Sequence, residues 1–196
     1  MTLSVQSLNE HLSPLRERTI AGLLDAQVRA LDAGADIEPE PVRRNHLGEV
    51  RRDGPLDLPL RGDLMVTLDG RTLIQQVESE LPSSDFTALN AVTGAEFSAI
   101  VRPFQWDAAR LIALSEAANP NWKPLRHCFL EWFQPRQTVL TPELAGVVHE
   151  LKGPVLASDG WRIDIDLGSA PVEVVPAMIA AVAMSGVSKL EITAVD

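Results

Sequence analysis

The sequence predicts an α+β fold, or an α/β one, in a single domain: a mixed β-sheet packed by helices, with an N-terminal helical segment. Three observations carry this. DLMVTLDGRTLIQQV, residues 63–77, sets Asp69-Gly70 between two β-prone runs. Both central positions of a two-residue type I′ turn need φ > 0, which Asp-Gly tolerates, so a hairpin is expected. WRIDIDL alternates Trp161, Ile163, Ile165 and Leu167 with Arg162, Asp164 and Asp166, the period of a strand with one buried face. An Ala-rich apolar helix from Val174 to Met184 and a last strand, LEITAV, follow it. The strand–helix–strand unit at 161–195 is either βαβ or two strands flanking a third.

Taken in order, residues 1–35 form the helical segment. Ser13-Pro14 is an N-cap followed by proline at N1. Ile20, Leu23, Leu24, Val28 and Leu31 then recur as one helical face, stopped by Gly34. Val5, Leu8 and Leu12 before it suggest a separate short helix. Residues 36–60, rich in Pro, Asp, Glu and Arg, read as a linker or irregular segment. Within it, Val42-Arg43-Arg44-Asn45 and Val50-Arg51-Arg52-Asp53 are near copies. They could pair around His46-Leu47-Gly48, but coincidence of composition is the preferred reading.

Residues 61–196 form the α+β core domain. In its hairpin Val66 should face Leu73 and Met65 should face Ile74. Apolar residues on both faces predict cover on each side, by a helix. Glu96 to Phe104 is a third strand. Asp107 to Ala118 reads as a helix stopped by Asn119-Pro120. Thr141-Pro142-Glu143 should open a short helix with Leu144, Val147, Val148 and Leu151 on one face, closed by Gly153-Pro154. LRHCFLEWF, residues 125–133, places Leu125, Cys128, Phe129, Trp132 and Phe133 on one helical face. Cys128 then points inward while His127 turns towards Glu131, so the two form no thiolate–imidazolium pair.

The chain has 196 residues, 45% of them hydrophobic, enough to bury a core without metal or disulfide help. One cysteine cannot form an internal disulfide. MTLSVQSLNEHLSPLRERT lacks a basic segment followed by an apolar run, so no secretory leader is expected. The longest apolar run is too short to span a bilayer. A soluble, cytoplasmic, bacterial-type protein is the expectation. A formal charge of −10 disfavours nucleic acid and suits either simple solubility or a basic protein partner.

Chemistry-bearing candidates are sparse. Asp164 and Asp166, two residues apart on one strand face and followed by Gly168-Ser169, are candidate catalytic carboxylates. Ser169 and His149 could join them. No HExxH, CxxC or HxH occurs, so no metal and no cofactor are expected; a metal site would need distant segments. Arg43, Arg44, Arg51 and Arg52 read as a solvated loop neutralised by nearby acids. The aromatic density between residues 104 and 133 marks a core seam. Trp122, in the turn-rich loop Asn119–Pro124, is its candidate exposed anchor, with Lys123, Arg126 and Glu131 beside it as partner-binding residues. The functional expectation is a small acidic protein that binds another protein, as immunity-type inhibitors or secretion chaperones do. Its alternatives are an enzyme or small-ligand binder with a carboxylate site at the end of the 161–167 strand, and a subunit of a larger assembly.

Overall fold

The computed structural model describes residues 4–77, 86–94, 96–135 and 144–195, and among them lie three helices and eleven strands in one α+β fold. Helix α1 (Val5–Asp32) is continuous, capped by Ser4, whose Oγ accepts from the Ser7 N–H at 3.1 Å. The expected break at Ser13-Pro14 does not occur; Pro14 lies inside the helix. An interior proline costs about 3 kcal/mol. Burial offsets it, because Leu8, Leu12 and Leu15 stay in the core on both sides of Pro14. The buried face runs on through Thr19, Leu23, Ala26 and Gln27, whereas Val28 and Leu31 are each 54% exposed. The face expected from Ile20 to Leu31 is thus rotated, because the core fixes the helix by its N-terminal leucines.

The segment read as a linker is ordered and cross-linked. It holds β1 (Asp36–Pro39), β2 (Arg52–Asp53) and β3 (Leu58–Pro59). The two near copies do pair: Arg51 N–H donates to Arg43 C=O at 2.8 Å, and Arg44 bridges Val50. Asn45 Oδ1 closes the turn by accepting from the Leu47 and Glu49 N–H groups. This corrects the expectation of coincidence.

Strands β4 (Leu64–Leu68) and β5 (Arg71–Gln75) form the expected hairpin, with Val66 opposite Leu73 and Met65 opposite Ile74. Asp69 and Gly70 have φ of 50° and 73°, as a type I′ turn requires. β1 adds to β4, giving the antiparallel order β1-β4-β5. In the small sheet, helix α1 packs chiefly on β1 and β4. Contrary to the expected cover on both faces, every residue of β5 is exposed, including Leu73 at 67%.

The larger sheet takes β6 (Leu89–Gly94), β7 (Phe97–Val101), β8 (Ala109–Leu114), β9 (Glu150–Ala157), β10 (Gly160–Asp166) and β11 (Lys189–Ala194), in the order β6-β7-β11-β8-β10-β9. Only β7 and β11 are parallel. Helices α2 (Lys123–Phe133) and α3 (Val174–Ala183) pack on each other over the apolar face of the sheet. That face includes Phe97, Val101, Leu111, Ile163, Leu190 and Ile192, all buried. β8 lies between β10 and β11, so the C-terminal strands flank a third rather than adjoin. The opposite face carries cross-strand ion pairs, Arg110–Asp164 and Arg102–Glu191.

Two expected helices are not helical. Within 107–118 the chain forms strand β8, with Ala109, Leu111 and Ala113 inward. Pairing on both sides, with β10 and β11, overrides the local preference. Of the stretch from Thr141 to Leu151, residues 141–143 lie outside the described residues. Leu144, Val147, Val148 and Leu151 are buried as predicted, but on irregular and then β9 backbone. Their backbone is bonded elsewhere: Val148 N–H donates to Trp132 C=O, and Val147 C=O accepts from the Ala170 N–H. Gly153-Pro154, expected to close that helix, lies within β9 as a cis peptide. Among the described residues no helix is long and apolar enough to cross a membrane.

The two faces of α1 make different predictions. Leu12→Ala should lower stability by about 2–5 kcal/mol in urea melts, through the cavity it leaves. Val28→Ala should stay within about 0.5 kcal/mol of the parent.

Candidate functional site

The densest polar chemistry is buried where the small sheet meets the large one. Glu40 follows β1 at φ 48°, a left-handed conformation that a non-glycine residue adopts at a cost. Its N–H donates to Asp63 C=O at 3.0 Å, and its own C=O accepts from Arg61 Nη1 at 2.5 Å. Arg61 also donates from Nε to Phe133 C=O at 3.2 Å and sits 4.7 Å over the Phe133 ring. Those bonds tie the chain before β4 to the end of α2 and hold Glu40 in its strained conformation.

His149 stands at the centre, 1% exposed. Its Nε2 donates to Glu40 Oε1 and its Nδ1 to Asp63 Oδ1, both at 2.8 Å. Asp166 Oδ2 lies 3.6 Å from Nδ1. The carboxylates are bonded in turn to backbone N–H groups. Asp63 Oδ2 accepts from Val77 at 2.6 Å, Asp166 Oδ1 from Gly168 at 2.9 Å, and Glu40 from Ser169 and Ala145. Ser169 Oγ accepts from the Gly146 and Val147 N–H groups, at 2.8 and 3.2 Å. Arg16 of α1 donates to the Ala170 and Ser169 carbonyls at 2.8 and 3.0 Å. Gly168 has φ 52°, and a Cβ there would collide with the His149 ring. Glycine is thus required twice over at that position.

The charges follow from these contacts. Burial alone pushes the His149 imidazole towards neutrality, but the Asp166 charge and the carboxylate hydrogen bonds outweigh it and hold the ring well above the usual histidine value. For Glu40, burial alone would raise the carboxyl. The bond and charge of His149, with Ser169 and the Ala145 N–H, bring it below its ordinary value. Both nitrogens of an imidazolium are thus spent on carboxylates. No nitrogen is left as a base for Ser169, so the two do not form a nucleophile pair.

Of the sequence-predicted residues, His149, Asp166 and Ser169 come together in this cluster. Asp164 does not: it is held by Arg110 in a bidentate pair, at 2.7 and 3.1 Å. Trp122 is a correction. It is 9% exposed and packs edge-on against Trp161 at 5.8 Å, so it is no surface anchor. The bond from Asn121 N–H to Ser185 C=O, at 3.0 Å, pins its loop to the end of α3. Lys123 is exposed, and Glu131 pairs with His127 at 3.5 Å. Arg126 is half-buried and donates to Leu56 C=O. Helix α2 itself buries Leu125, Cys128, Phe129, Trp132 and Phe133. Glu40, Arg61 and Asp63 escaped the sequence reading because no local spacing links them to His149. The one local signal was His149 itself, which stands beside Glu150 in the otherwise apolar stretch GVVHEL.

On the surface, the feature that stands out is β5. Leu68, Leu73 and Ile74 are 41%, 67% and 39% exposed along one hairpin. The outer edge of β9 also exposes Val155 and Leu156, but Pro154 there has no N–H to offer a partner. No protein-family model, curated protein or solved structure matches the chain.

The cluster predicts a two-sided stability profile. The raised His149 value contributes stability that is complete below about pH 6.5, the unfolded value, and is lost as pH climbs through the folded one. The lowered Glu40 value contributes stability that is complete above about pH 4.5 and is lost as pH falls through its folded value. Urea midpoints should therefore be highest between those limits and fall on both sides. His149→Gln should remove the alkaline fall. Glu40→Gln should cost about 3–5 kcal/mol near pH 6, because it removes one partner of a buried pair.

Proposed function

We propose that the protein binds an extended, basic segment of another protein, which adds to the small sheet as a strand beside β5. The observation that carries this reading is the exposure of every residue of β5, Arg71-Thr72-Leu73-Ile74-Gln75, which is an edge strand among the described residues. An edge strand offers a row of backbone donors and acceptors, and apolar side chains beside them add affinity. In a two-residue hairpin the Leu68–Arg71 pair exchanges hydrogen bonds, and so do the alternate pairs Val66–Leu73 and Leu64–Gln75. Thr72 and Ile74 therefore turn their N–H and C=O groups outward. Charge supports the sign of the partner. The chain carries −10, and Asp32, Asp36, Glu38 and Asp69 are exposed around the small sheet, against Arg71 on β5 itself. Such a field speeds association with a basic segment. An inhibitor or a chaperone would use this edge in the same way.

The alternative, a catalytic carboxylate site at the end of β10, is less favoured. Asp164, Asp166, Ser169 and His149 all spend their polar atoms within the protein.

The test is selection of random dodecamer peptides displayed on phage against the full chain. Enriched peptides should alternate apolar residues with Lys or Arg. Thr72→Pro, which removes an outward N–H and the Thr67–Thr72 hydroxyl bond but no backbone bond of the hairpin, should stay folded, with a urea midpoint lowered by no more than one exposed side-chain bond, and abolish capture. Leu73→Ala should weaken a selected peptide about tenfold, the share of a leucine's burial still available there. Equal capture by Thr72→Pro, or selection of peptides without basic residues, would defeat the reading.

A further inference from the structure

The same buried cluster has a second capability, independent of the β5 edge. We infer that Asp63, His149 and Asp166 form a binding site for one divalent transition-metal ion of the zinc or cobalt kind, with Glu40 orienting the histidine from behind. The three ligand atoms are His149 Nδ1 and one oxygen of each aspartate, and all lie within 4.8 Å of one another. Nδ1 is 2.8 Å from Asp63 Oδ1 and 3.6 Å from Asp166 Oδ2. Donors that share an ion at bonds of about 2.1 Å stand about 3.4 Å apart in a tetrahedron, so small side-chain rotations admit one.

The donor set sets the ion's class. Imidazole nitrogen favours the zinc-like transition metals over magnesium and calcium, which take oxygen ligands. The surroundings also match what such ligands need. A metal-bound histidine donates its other ring N–H to a carboxylate, and His149 Nε2 donates to Glu40 at 2.8 Å. Ligating carboxylates are themselves hydrogen-bonded, and the remaining oxygens of Asp63 and Asp166 accept from the Val77 and Gly168 N–H groups. Three carboxylates surround one imidazole here, and the nearby cations Arg61 and Arg16 each also answer acids outside the cluster, Glu38 for Arg61 and Glu173 and Glu17 for Arg16. A divalent ion that takes the place of the Nδ1 proton adds one positive charge among these carboxylates. Asp63 and His149 are buried, but Asp166 is 17% exposed, which leaves a path for the ion and a coordination position for water.

The experiment uses the full chain stripped with EDTA and then titrated with cobalt(II) or zinc(II) alone. One equivalent of cobalt should bind, with visible ligand-field absorption that zinc abolishes by displacement. Zinc should also shift the NMR signals of the His149 ring. Asp166→Asn changes the least buried ligand and should weaken cobalt at least tenfold. His127→Ala, which removes the exposed His127–Glu131 pair, should leave uptake intact. The inference is overturned if the parent takes up no stoichiometric cobalt, if Asp166→Asn binds as the parent does, or if His127→Ala abolishes uptake. Melting in EDTA checks that Asp166→Asn is folded. If it is not, the His149 signals of the parent decide: no shift with zinc overturns the site.

Discussion

The buried His149 imidazolium is the contact on which the rest of the arrangement depends. Each of its nitrogens faces a carboxylate from a different part of the chain, Glu40 after β1 and Asp63 before β4, and Asp166 closes the group from the end of β10. Charges taken out of water are costly unless every one is paired and hydrogen-bonded. The chain meets that condition by aiming the Val77, Ala145, Gly168 and Ser169 N–H groups at the carboxylates. This requirement explains features that look unrelated in sequence. Glu40 is held at positive φ, Gly168 must be glycine, and residues 144–149 cannot coil into a helix while their backbone groups serve the cluster.

A second consequence concerns where binding capacity remains. Inside, the polar atoms of the cluster are bonded to one another and to backbone, so capacity there is limited to an ion that replaces the His149 Nδ1 proton. Outside, the open face of the large sheet pairs its charges across strands, as Arg110 does with Asp164. The small sheet is different. Its position is set by Glu40 and Asp63, and α1 packs chiefly on β1 and β4 and leaves every residue of β5 exposed. One strand with alternate outward N–H and C=O groups is thereby left at the surface. The interior cluster and the exposed edge are two ends of one constraint, since the former fixes where the latter must lie.

Local pattern was legible where a segment's own periodicity decides its packing. LRHCFLEWF became α2 with its predicted buried face, and Asp69-Gly70 made the predicted turn with the predicted register. WRIDIDL became β10, and α3 and β11 follow it as the pattern indicated. Local signals failed where a long-range demand outweighed them. ARLIAL became the strand β8 because two neighbours pair with it. Ser13-Pro14, a good helix start, lies inside α1 because leucines on both sides share one core. Trp122 looked exposed in a turn-rich loop and is buried against Trp161.

The candidate site divides along the same line. By itself the sequence determined the fold class, the hairpin, the amphipathic helix and the acidic charge, because these follow from residue spacing and composition. It also brought forward Asp166 and Ser169, through a strand that ends in Gly-Ser, and His149, through its place beside a carboxylate, Glu150. Only the tertiary structure decided that Glu40, Arg61 and Asp63 join them, that Asp164 turns away to Arg110, and that β5 is left uncovered. The reason is physical. A buried charge selects its partners by distance and desolvation across the whole fold, and no spacing along the chain encodes a contact between residues 40, 63 and 149.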